Sequence, residues 1–390
     1  MKKSLVVVAL AGAMAFTAAS AETVLYGSIR LGAEVGKNHY NAEVGKNHYN
    51  AEGVKNKRGL EMADYGSRLG IKGSEDLGNG AKVLYQVEFG FDGMTGGKAP
   101  GSDFETRLAW IGVTGEWGTI ALGRQNNPFT ESLNADTEAD QFNGDLGSVS
   151  ALRYATGSVL SAATTNRVAD SNGNPAFGSM PTRVGNSIAY VSPSFSGFNF
   201  VVAGIAEAPA DDLTGAAAYN ARNNSSKGFD MYTVGLNYEH ESGFYAKAAY
   251  LGADLQENFK RANVYGLNVG FANEQFGVNA DFGAGERGQK NGGNKVTSTG
   301  WDLGGHFSFG PDYFSTIRAT VGQAEVKYKN QANPTKDTMT VWAVGFEQKL
   351  STRTKVWVEY GKENRKYNKS TAIQTKENRD AVSVGIRHDF

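Results

Sequence analysis

The segment Phe276-Gly277-Val278-Asn279-Ala280-Asp281-Phe282-Gly283-Ala284 decides the fold of this chain. Its phenylalanine, valine and alanine residues occupy every second position, and glycine, asparagine and aspartate fill the positions between them. Strict alternation of this kind places the two sets on opposite faces of a β-strand. Further segments repeat the pattern, and they are Tyr232–His240, Tyr265–Phe271, Trp301–Phe309 and Val382–Phe390.

The connections between such segments alternate in length along the chain. The short ones are Ser74–Gly80, Thr114–Gly118, Ser192–Gly197, Glu241–Gly243, Asn273–Gln275, Gly310–Tyr313 and Leu350–Arg353. The long ones are Val35–Gly66, Asp92–Asp103, Gln125–Thr182, Glu207–Gly228, Asp254–Arg261, Glu286–Thr297, Lys327–Lys336 and Gly361–Lys376. Segments of about ten residues suffice for tilted strands to cross a bilayer, and short turns opposite long loops are typical of outer-membrane barrels.

The sequence therefore predicts an all-β fold, a transmembrane antiparallel β-barrel of about 16 strands. Lipid offers no hydrogen-bond partner to an open sheet edge, so a spanning sheet must close. A large soluble β-sandwich is the alternative, and it predicts an apolar face packed inside and similar connections at both ends. The uncharged stretch Val184–Ala206 has the length of a membrane helix, but the turn Ser192–Gly197 divides it into two strands.

Composition excludes several classes of protein. The 390 residues include 50 glycines and no cysteine, with 39 basic and 40 acidic side chains. Disulfide scaffolds and cysteine nucleophiles are excluded, and the balanced charge offers no basic field for nucleic acid.

The first 21 residues have the features of a secretory signal peptide. Lys2 and Lys3 precede a short apolar core, Leu5–Phe16, and Ala19-Ser20-Ala21 has the small-residue form of a cleavage site. We expect residues 1–21 to be removed and residues 22–390 to form one barrel domain. A buried N-terminal helix is the alternative.

Motifs that suggest catalysis lack their structural context. Gly283–Gly288 fits GxGxxG, but the polar segment 289–297 that follows has no helical period, so no dinucleotide site is expected. The chain has five histidines, and two of them, His39 and His48, occupy equivalent positions of the duplicated nonapeptides Ala33–Asn41 and Ala42–Asn50. No nucleophile elbow is present. We expect no metal, no cofactor and no enzyme activity, although a barrel enzyme remains an alternative.

Taken together, several segments resemble the general porins of Gram-negative bacteria, of the neisserial and β-proteobacterial type. The segments that carry the resemblance are Val24–Arg30, Ser67–Gly80, Leu122–Gln125, Asn186–Phe198 and Val384–Phe390. The resemblance implies a homotrimer of sixteen-stranded barrels in the outer membrane, surrounded by lipid and lipopolysaccharide, that passes ions and small hydrophilic solutes. It also implies that the third long loop, within residues 125–182, folds into the lumen. The expanded first loop and the segment Gly157–Thr182 depart from the family pattern.

Charge is segregated in a way that suits such a constriction. The third loop between Gln125 and Leu152 contains acids and no base, and the acids are Glu131, Asp136, Glu138, Asp140 and Asp145. The basic residues predicted for the facing wall are Arg30, Arg68, Lys72, Arg107 and Arg124. The face on which Arg107 lies stays open, because both faces of its strand contain apolar residues. Both signs are present, so the sign of any ion selectivity stays open.

The C-terminal residue Phe390 ends a row of apolar side chains at every second position. An exposed strand edge of this kind can be recognised by strand addition, so we expect it to be the signal read by the barrel-assembly machinery. The predicted function is passive diffusion through a water-filled channel. A solute-specific channel, for example for anions, and an adhesin whose loops carry the function are the alternatives.

Overall fold

The computed structural model describes residues 22–44, 47–49, 57–95, 103–135, 137–161, 180–206, 228–254, 259–290, 295–329, 335–367 and 373–390. The strands are β1 (Glu22–Val44), β2 (Asn47–Tyr49), β3 (Lys57–Asp64), β4 (Arg68–Asp76), β5 (Lys82–Gly90), β6 (Glu105–Gly115), β7 (Gly118–Asn126), β8 (Arg183–Val191), β9 (Phe198–Ile205), β10 (Met231–Glu239), β11 (Phe244–Ala253), β12 (Ala262–Ala272), β13 (Phe276–Gly288), β14 (Lys295–Phe309), β15 (Ser315–Lys329), β16 (Thr335–Lys349), β17 (Thr354–Tyr367) and β18 (Ile373–Asp389). The helices are α1 (Pro128–Asn134), α2 (Glu138–Gln141) and α3 (Ala151–Ser161).

The strands form one closed antiparallel sheet. β1 pairs with β18 on one side and with β3 and β4 on the other, so the first and last strands meet. Because β3 and β4 pair with successive parts of β1, they form a single barrel strand, and the three-residue β2 is an accessory to β1. The predicted sixteen-stranded antiparallel barrel is therefore confirmed.

The alternation predicted from sequence separates the outside of the wall from the inside. On β13, Phe276, Val278 and Phe282 are 42%, 55% and 49% exposed, whereas Asn279 and Asp281 of the opposite face are buried. A soluble sandwich would bury the apolar set, so this arrangement fits a barrel whose outer face meets lipid.

Aromatic side chains form two belts on the outer face. Trp301, Trp342 and Tyr360 lie toward the long loops on β14, β16 and β17, and the ring centroids of Trp342 and Tyr360 are 5.3 Å apart. Phe307, Phe309 and their neighbour Phe346 lie toward the short turns. Such belts mark the two interfaces of an outer-membrane barrel.

We call the belt toward the long loops the upper belt. Beyond it, toward the loops, the outward side chains of the wall become polar and the inward side chains become apolar. On β15 the outward positions change from Ile317 and Val321 to Lys327, while the inward positions become Ala324 and Val326. The inward apolar residues of this level pack against the helices of the third loop, as Val326 does with Leu152 and Val159 in one buried cluster. On this side of the barrel the upper wall and the loop helices thus enclose a packed apolar interior, as in a water-soluble protein.

β1 and β18 extend together beyond the level reached by β4 to β12. They pair from Ser28 opposite Asp389 to Val44 opposite Ile373, and β2 folds back onto Ala42–Val44. The first copy of the duplicated nonapeptide, Ala33–Asn41, lies wholly in this extension. We call the extension the β1–β18 arm.

The short connections are found where the sequence predicts them, for example at 116–117 between β6 and β7 and at 273–275 between β12 and β13. No helix in the described parts of the chain is both long and apolar enough to cross a membrane. The predicted signal peptide, residues 1–21, lies outside the described residues and stays a prediction.

Candidate functional site

The third loop lies against the inner face of the barrel. α1 packs against β10 and β11, and α3 packs against β13, β14 and β15. Inward-facing wall residues make the contacts, since Asn268 donates a hydrogen bond of 2.9 Å to the carbonyl of Leu133. A Cβ on Gly300 would lie 2.7 Å from the Cβ of Ala155, so glycine is what allows α3 to sit this close to β14.

Charged wall residues hold both ends of α3. The carboxylate of Asp302 accepts hydrogen bonds from the hydroxyl of Ser150 at 2.8 Å and from the N–H groups of Ala151 and Leu152 at 2.9 Å. At the other end, Arg287 donates to the carbonyl of Leu160 at 3.1 Å. A negative group at the N-terminus and a positive group at the C-terminus complement the helix dipole, so the wall fixes α3 in place.

Glu138, one of the five acids predicted for the constriction, is engaged by the wall. It is 5% exposed, it contacts the ring of His306, and its other oxygen lies 3.4 Å from Arg318. Arg318 also approaches Glu347 at 3.7 Å, and Glu347 pairs with Lys355 at 2.7 Å. The charge of Glu138 is thus compensated by an inward-facing network that spans β14 to β17.

The other predicted acids divide into two groups. Asp140 and Asp145 are exposed on the loop, whereas Glu131 is half-buried on α1. Asp136 lies outside the described residues. The backbone between Asp140 and Asp145 is held by Glu359 of β17, which accepts hydrogen bonds from the N–H groups of Asn143 at 2.9 Å and Gly144 at 2.6 Å.

The predicted basic residues gather on the opposite wall, on β1, β4 and β6. Arg68 lies 3.7 Å from Glu88, and Arg107 donates to the same carboxylate at 2.6 Å. Arg30 donates to Ser28 at 2.9 Å. Lys72 stacks its ammonium over the ring of Tyr26, 5.5 Å from the centroid.

A β-bulge explains why the side chain of Arg107 faces the lumen. The pairing of β5 with β6 shifts between Glu88 and Phe89, where Leu108 and Thr106 are their partners and Arg107 is skipped. A bulge re-aims the side chain of the extra residue, and here it lets Arg107 reach the inward-facing Glu88. Arg124 lies at a second irregularity, in the β7–β8 pairing, and donates to the carbonyl of Thr106 at 3.1 Å.

Several charged residues of the lumen were missed by the sequence reasoning. Glu88 ties two of the predicted arginines together, and Arg387 lies directly opposite Arg30 in the β1–β18 pairing and binds Asp389 at 2.8 Å. The sequence could have indicated that both residues face the lumen, because each lies on the strand face opposite a row of apolar side chains. Arg318 and Lys355 were missed although the same parity rule would have found them.

The third loop therefore occupies one side of the lumen and leaves the other side unfilled. The third loop fills the side bounded by β9 to β17, where its helices and the wall form a packed interior. The remaining side is lined by the arginine-rich wall of β1, β4, β6 and β18. Exposed loop acids and wall arginines thus border the unfilled side. This arrangement has the features of an outer-membrane barrel with an internal loop beside a polar passage.

The chain belongs to the Gram-negative porin family, because that family's sequence model matches residues 5–368. The porin class and the outer-membrane location predicted from sequence are confirmed by this match and by the relatives that carry the name major outer membrane protein.

Among those relatives, a P.IB protein of Neisseria gonorrhoeae is 30% identical over 264 residues, which cover 67% of this chain and 60% of the relative. A P.IB protein of Neisseria lactamica is 28% identical over 70% of this chain and 68% of its own length. The chain thus spans about 60% of the length of the gonococcal proteins that it matches.

Solved structures agree with the fold. The anion-selective porin from Comamonas acidovorans superposes with a TM-score of 0.63 at 18% identity, covering 95% of this chain and 100% of that one. The OmpF porin of Salmonella typhi superposes with a TM-score of 0.56 at 15% identity, covering 95% of this chain and 98% of that one. At such low identity these matches establish the barrel fold alone.

Proposed function

We propose that the protein forms a water-filled channel for passive diffusion of ions and small hydrophilic solutes, without catalysis. One observation carries this proposal: inward-facing charged side chains stay accessible to solvent inside the barrel. The side chains of Arg68, Arg379 and Arg387 are 27%, 25% and 24% exposed, although they point away from the lipid face. Barrels of this strand number are wide enough for an aqueous lumen.

The constriction in this proposal lies between the third loop and the arginine-rich wall. The exposed Asp140 and Asp145 supply the negative charge of the loop, and Arg30, Arg68 and Arg107 supply the facing positive charge. Opposed charges between low-dielectric walls produce a strong local field. We expect solutes to pass along the β1–β8 side of the lumen.

An anion-preferring channel is the second candidate, and the state of Glu138 favours it. Because Glu138 is paired with His306 and Arg318, the loop contributes less negative charge to the passage than its composition suggests. Arginines then dominate the passage, and rings of arginine or lysine favour anions. The structural neighbour from Comamonas acidovorans is named an anion-selective porin.

We further propose that three copies assemble through the outer faces of β1, β4, β6 and β7. These faces carry exposed aliphatic side chains, namely Leu25, Ile29, Leu69, Ile71, Ile111, Val113, Ile120 and Leu122. The upper belt residues Trp301, Trp342 and Tyr360 lie on β14, β16 and β17, outside this surface. Belt aromatics serve a lipid interface, so a surface that is mainly aliphatic, with Phe89 of β5 as an exposed aromatic within it, suits contact between subunits.

Single-channel recording in planar phospholipid bilayers tests the function. Large ohmic steps with weak ion preference support the diffusion porin, and a strongly anionic reversal potential in a salt gradient supports the second candidate. Saturable block by one solute would assign a specific channel instead. A folded protein that conducts no ions would reject both candidates and favour an adhesin.

A further inference from the structure

Two buried carboxyl groups lie directly opposite each other on the wall behind the third loop. Asp281 of β13 pairs in register with Asp302 of β14, and both side chains face inward. They are 4% and 1% exposed, and the two carboxyl groups contact each other. Like charges at directly opposed positions of a sheet face are destabilising, and burial away from water raises that cost. The pair therefore needs positive charge beside its oxygen atoms.

The chain compensates Asp302 but not Asp281. Asp302 accepts hydrogen bonds from Ser150 and from the first N–H groups of α3, where the helix dipole favours a negative group. Asp281 accepts one hydrogen bond through Oδ1, from the backbone N–H of Asp302 at 3.0 Å. Its buried Oδ2 atom receives no hydrogen bond from the described residues. The inward-facing base two strands away, Lys247, is paired with Glu239 at 3.2 Å, so Asp281 keeps an uncompensated charge.

Two amide oxygens beside this pair also lack a donor. Asn268 of β12 lies directly opposite Asp281, it is 0% exposed, and its Oδ1 atom has no partner among the described residues. Its Nδ2 group donates to a carbonyl of α1 at 2.9 Å, which fixes the orientation of the amide. Asn134, the last residue of α1, is 4% exposed, and its Oδ1 atom has no partner in the same parts of the chain. Asn134 donates to Ser150 at 3.4 Å, and Ser150 donates to Asp302, so both amides adjoin the carboxyl pair.

We call these four side chains the oxygen cluster, and its members are Asn134, Asn268, Asp281 and Asp302. A proton shared by the two carboxyl groups would pair those groups and leave both amide oxygens without a partner. A cation offers positive charge to all of these oxygens at once. Ca²⁺ takes 6–8 oxygen ligands from carboxylates and amide carbonyls in flexible geometry, whereas Mg²⁺ keeps several waters of its own. A buried cluster of protein oxygens therefore suits Ca²⁺.

We propose that the oxygen cluster binds one Ca²⁺ ion, which ties α1 and α3 of the third loop to β12, β13 and β14. The sequence-based expectation of no metal considered histidine and cysteine ligands. Among the described residues, no three histidine, cysteine, aspartate or glutamate side chains form a metal-binding group, and this site depends on amide oxygens instead. The inference concerns how the loop is held and not conduction, so a protein that failed to conduct would leave it standing.

The test uses the full barrel, refolded in detergent with a chelator and without lipopolysaccharide, and Ca²⁺ as the probe. We expect Ca²⁺ to raise the unfolding temperature detected on gels, with a dissociation constant of about 10⁻⁴ to 10⁻³ M, as for extracellular calcium sites. D281N should weaken binding, measured by isothermal titration calorimetry, by at least the roughly tenfold that loss of a supporting contact costs a metal site. The control D103N removes an exposed carboxylate and should bind Ca²⁺ like the parent.

A variant of opposite sign separates ion binding from damage to the fold. N134D adds a carboxylate to the oxygen cluster, so it should tighten Ca²⁺ binding and lower the unfolding temperature only when a chelator is present. A merely structural defect would lower that temperature with and without Ca²⁺. The proposal is overturned if Ca²⁺ does not stabilise the parent, if D281N responds to Ca²⁺ as the parent does, or if N134D binds Ca²⁺ no more tightly. A parent that ignores the chelator but is destabilised by D281N would assign a shared proton to the carboxyl pair instead.

Discussion

At the scale of single residues, the C-terminal Phe390 closes the barrel. Its N–H donates to the carbonyl of Gly27 at 3.1 Å, and the N–H of Gly27 donates to the carbonyl of Phe390 at 3.0 Å. The phenylalanine ring covers Gly27 so closely that a Cβ there would lie 2.8 Å from its Cε2 atom. The residue proposed as an assembly signal thus also takes part in the contact with β1 that closes the barrel, which we call the seam.

Deleting Phe390 should reduce assembly in cells, because it removes two seam hydrogen bonds and the last ring of the apolar row. We expect unfolded periplasmic chain to accumulate, measured by fractionation and by gel mobility without heating. Normal yield of folded barrel from the truncated gene at high expression would contradict this expectation.

The substitution G27V tests the packing at the seam separately from the assembly signal, because it leaves Phe390 in place. Overpacking against the ring should cost about 1–3 kcal/mol, seen as a lower temperature of gel-detected unfolding. The control G59V adds a side chain where no atom lies within 4 Å and should leave that temperature unchanged. If G27V and G59V lower the unfolding temperature equally, the close contact between Gly27 and the ring of Phe390 does not contribute to stability.

Charge in the lumen gives a second prediction at this scale. D140N/D145N should shift the reversal potential in a salt gradient toward anions, and R30Q/R68Q should shift it toward cations. Both shifts should shrink at 1 M salt, where the Debye length is ~3 Å. The control E286Q/E325Q makes the same charge change at outward-facing positions of β13 and β15, which share the parity of the exposed Phe282 and Val321, and should have little effect. If D140N/D145N keeps the parental value at 0.1 M salt, these acids do not line the passage.

At the scale of elements, α3 behaves as part of the wall. D302A removes the carboxylate that accepts three hydrogen bonds at its N-terminus, which should cost roughly 1–2 kcal/mol as for other helix caps. We expect noisier single-channel current and a lower unfolding temperature, because the loop is freed on one side. D103A, at an exposed position shortly before β6, is the matched control. Quiet parental current in D302A would show that other contacts hold the loop.

The elements also show how far the sequence could be read. Period-two alternation predicted which side of each strand faces lipid, because lipid accepts apolar side chains on one parity only. The inward position of Arg107 could not be predicted, since a bulge in a strand pair depends on the partner strand. The burial of α3 had a signal that was missed: Leu152, Ala155 and Val159 recur at helical spacing. Pairing of Glu138 with Arg318 joins positions far apart in sequence, and no local pattern indicates it.

At the scale of the whole molecule, we expect a trimer that resists SDS and runs as a monomer only after boiling. The chain contains no cysteine, so single introduced cysteines report contacts without background. I111C on the aliphatic surface should be crosslinked between subunits of the trimer by a long bifunctional maleimide, because cysteines related by a three-fold axis meet directly only at that axis. F307C, in the lower aromatic belt, should not. Native mass spectrometry in mild detergent that finds only monomer would reject the assembly, and crosslinking through F307C would place the interface elsewhere.

The β1–β18 arm has a consequence for how this protein can diverge. The first copy of the nonapeptide, Ala33–Asn41, lies in the arm, beyond the pairs of Glu22–Ser28 with β4 and of Ser28–Gly32 with β18. Gain or loss of one copy by replication slippage therefore changes the reach of a surface projection by about 15 Å, half of nine residues at ~3.3 Å each, while the register of the seam is kept. We therefore expect variants that differ in copy number to differ in the exposed projection, while the strand pairs that close the barrel stay the same.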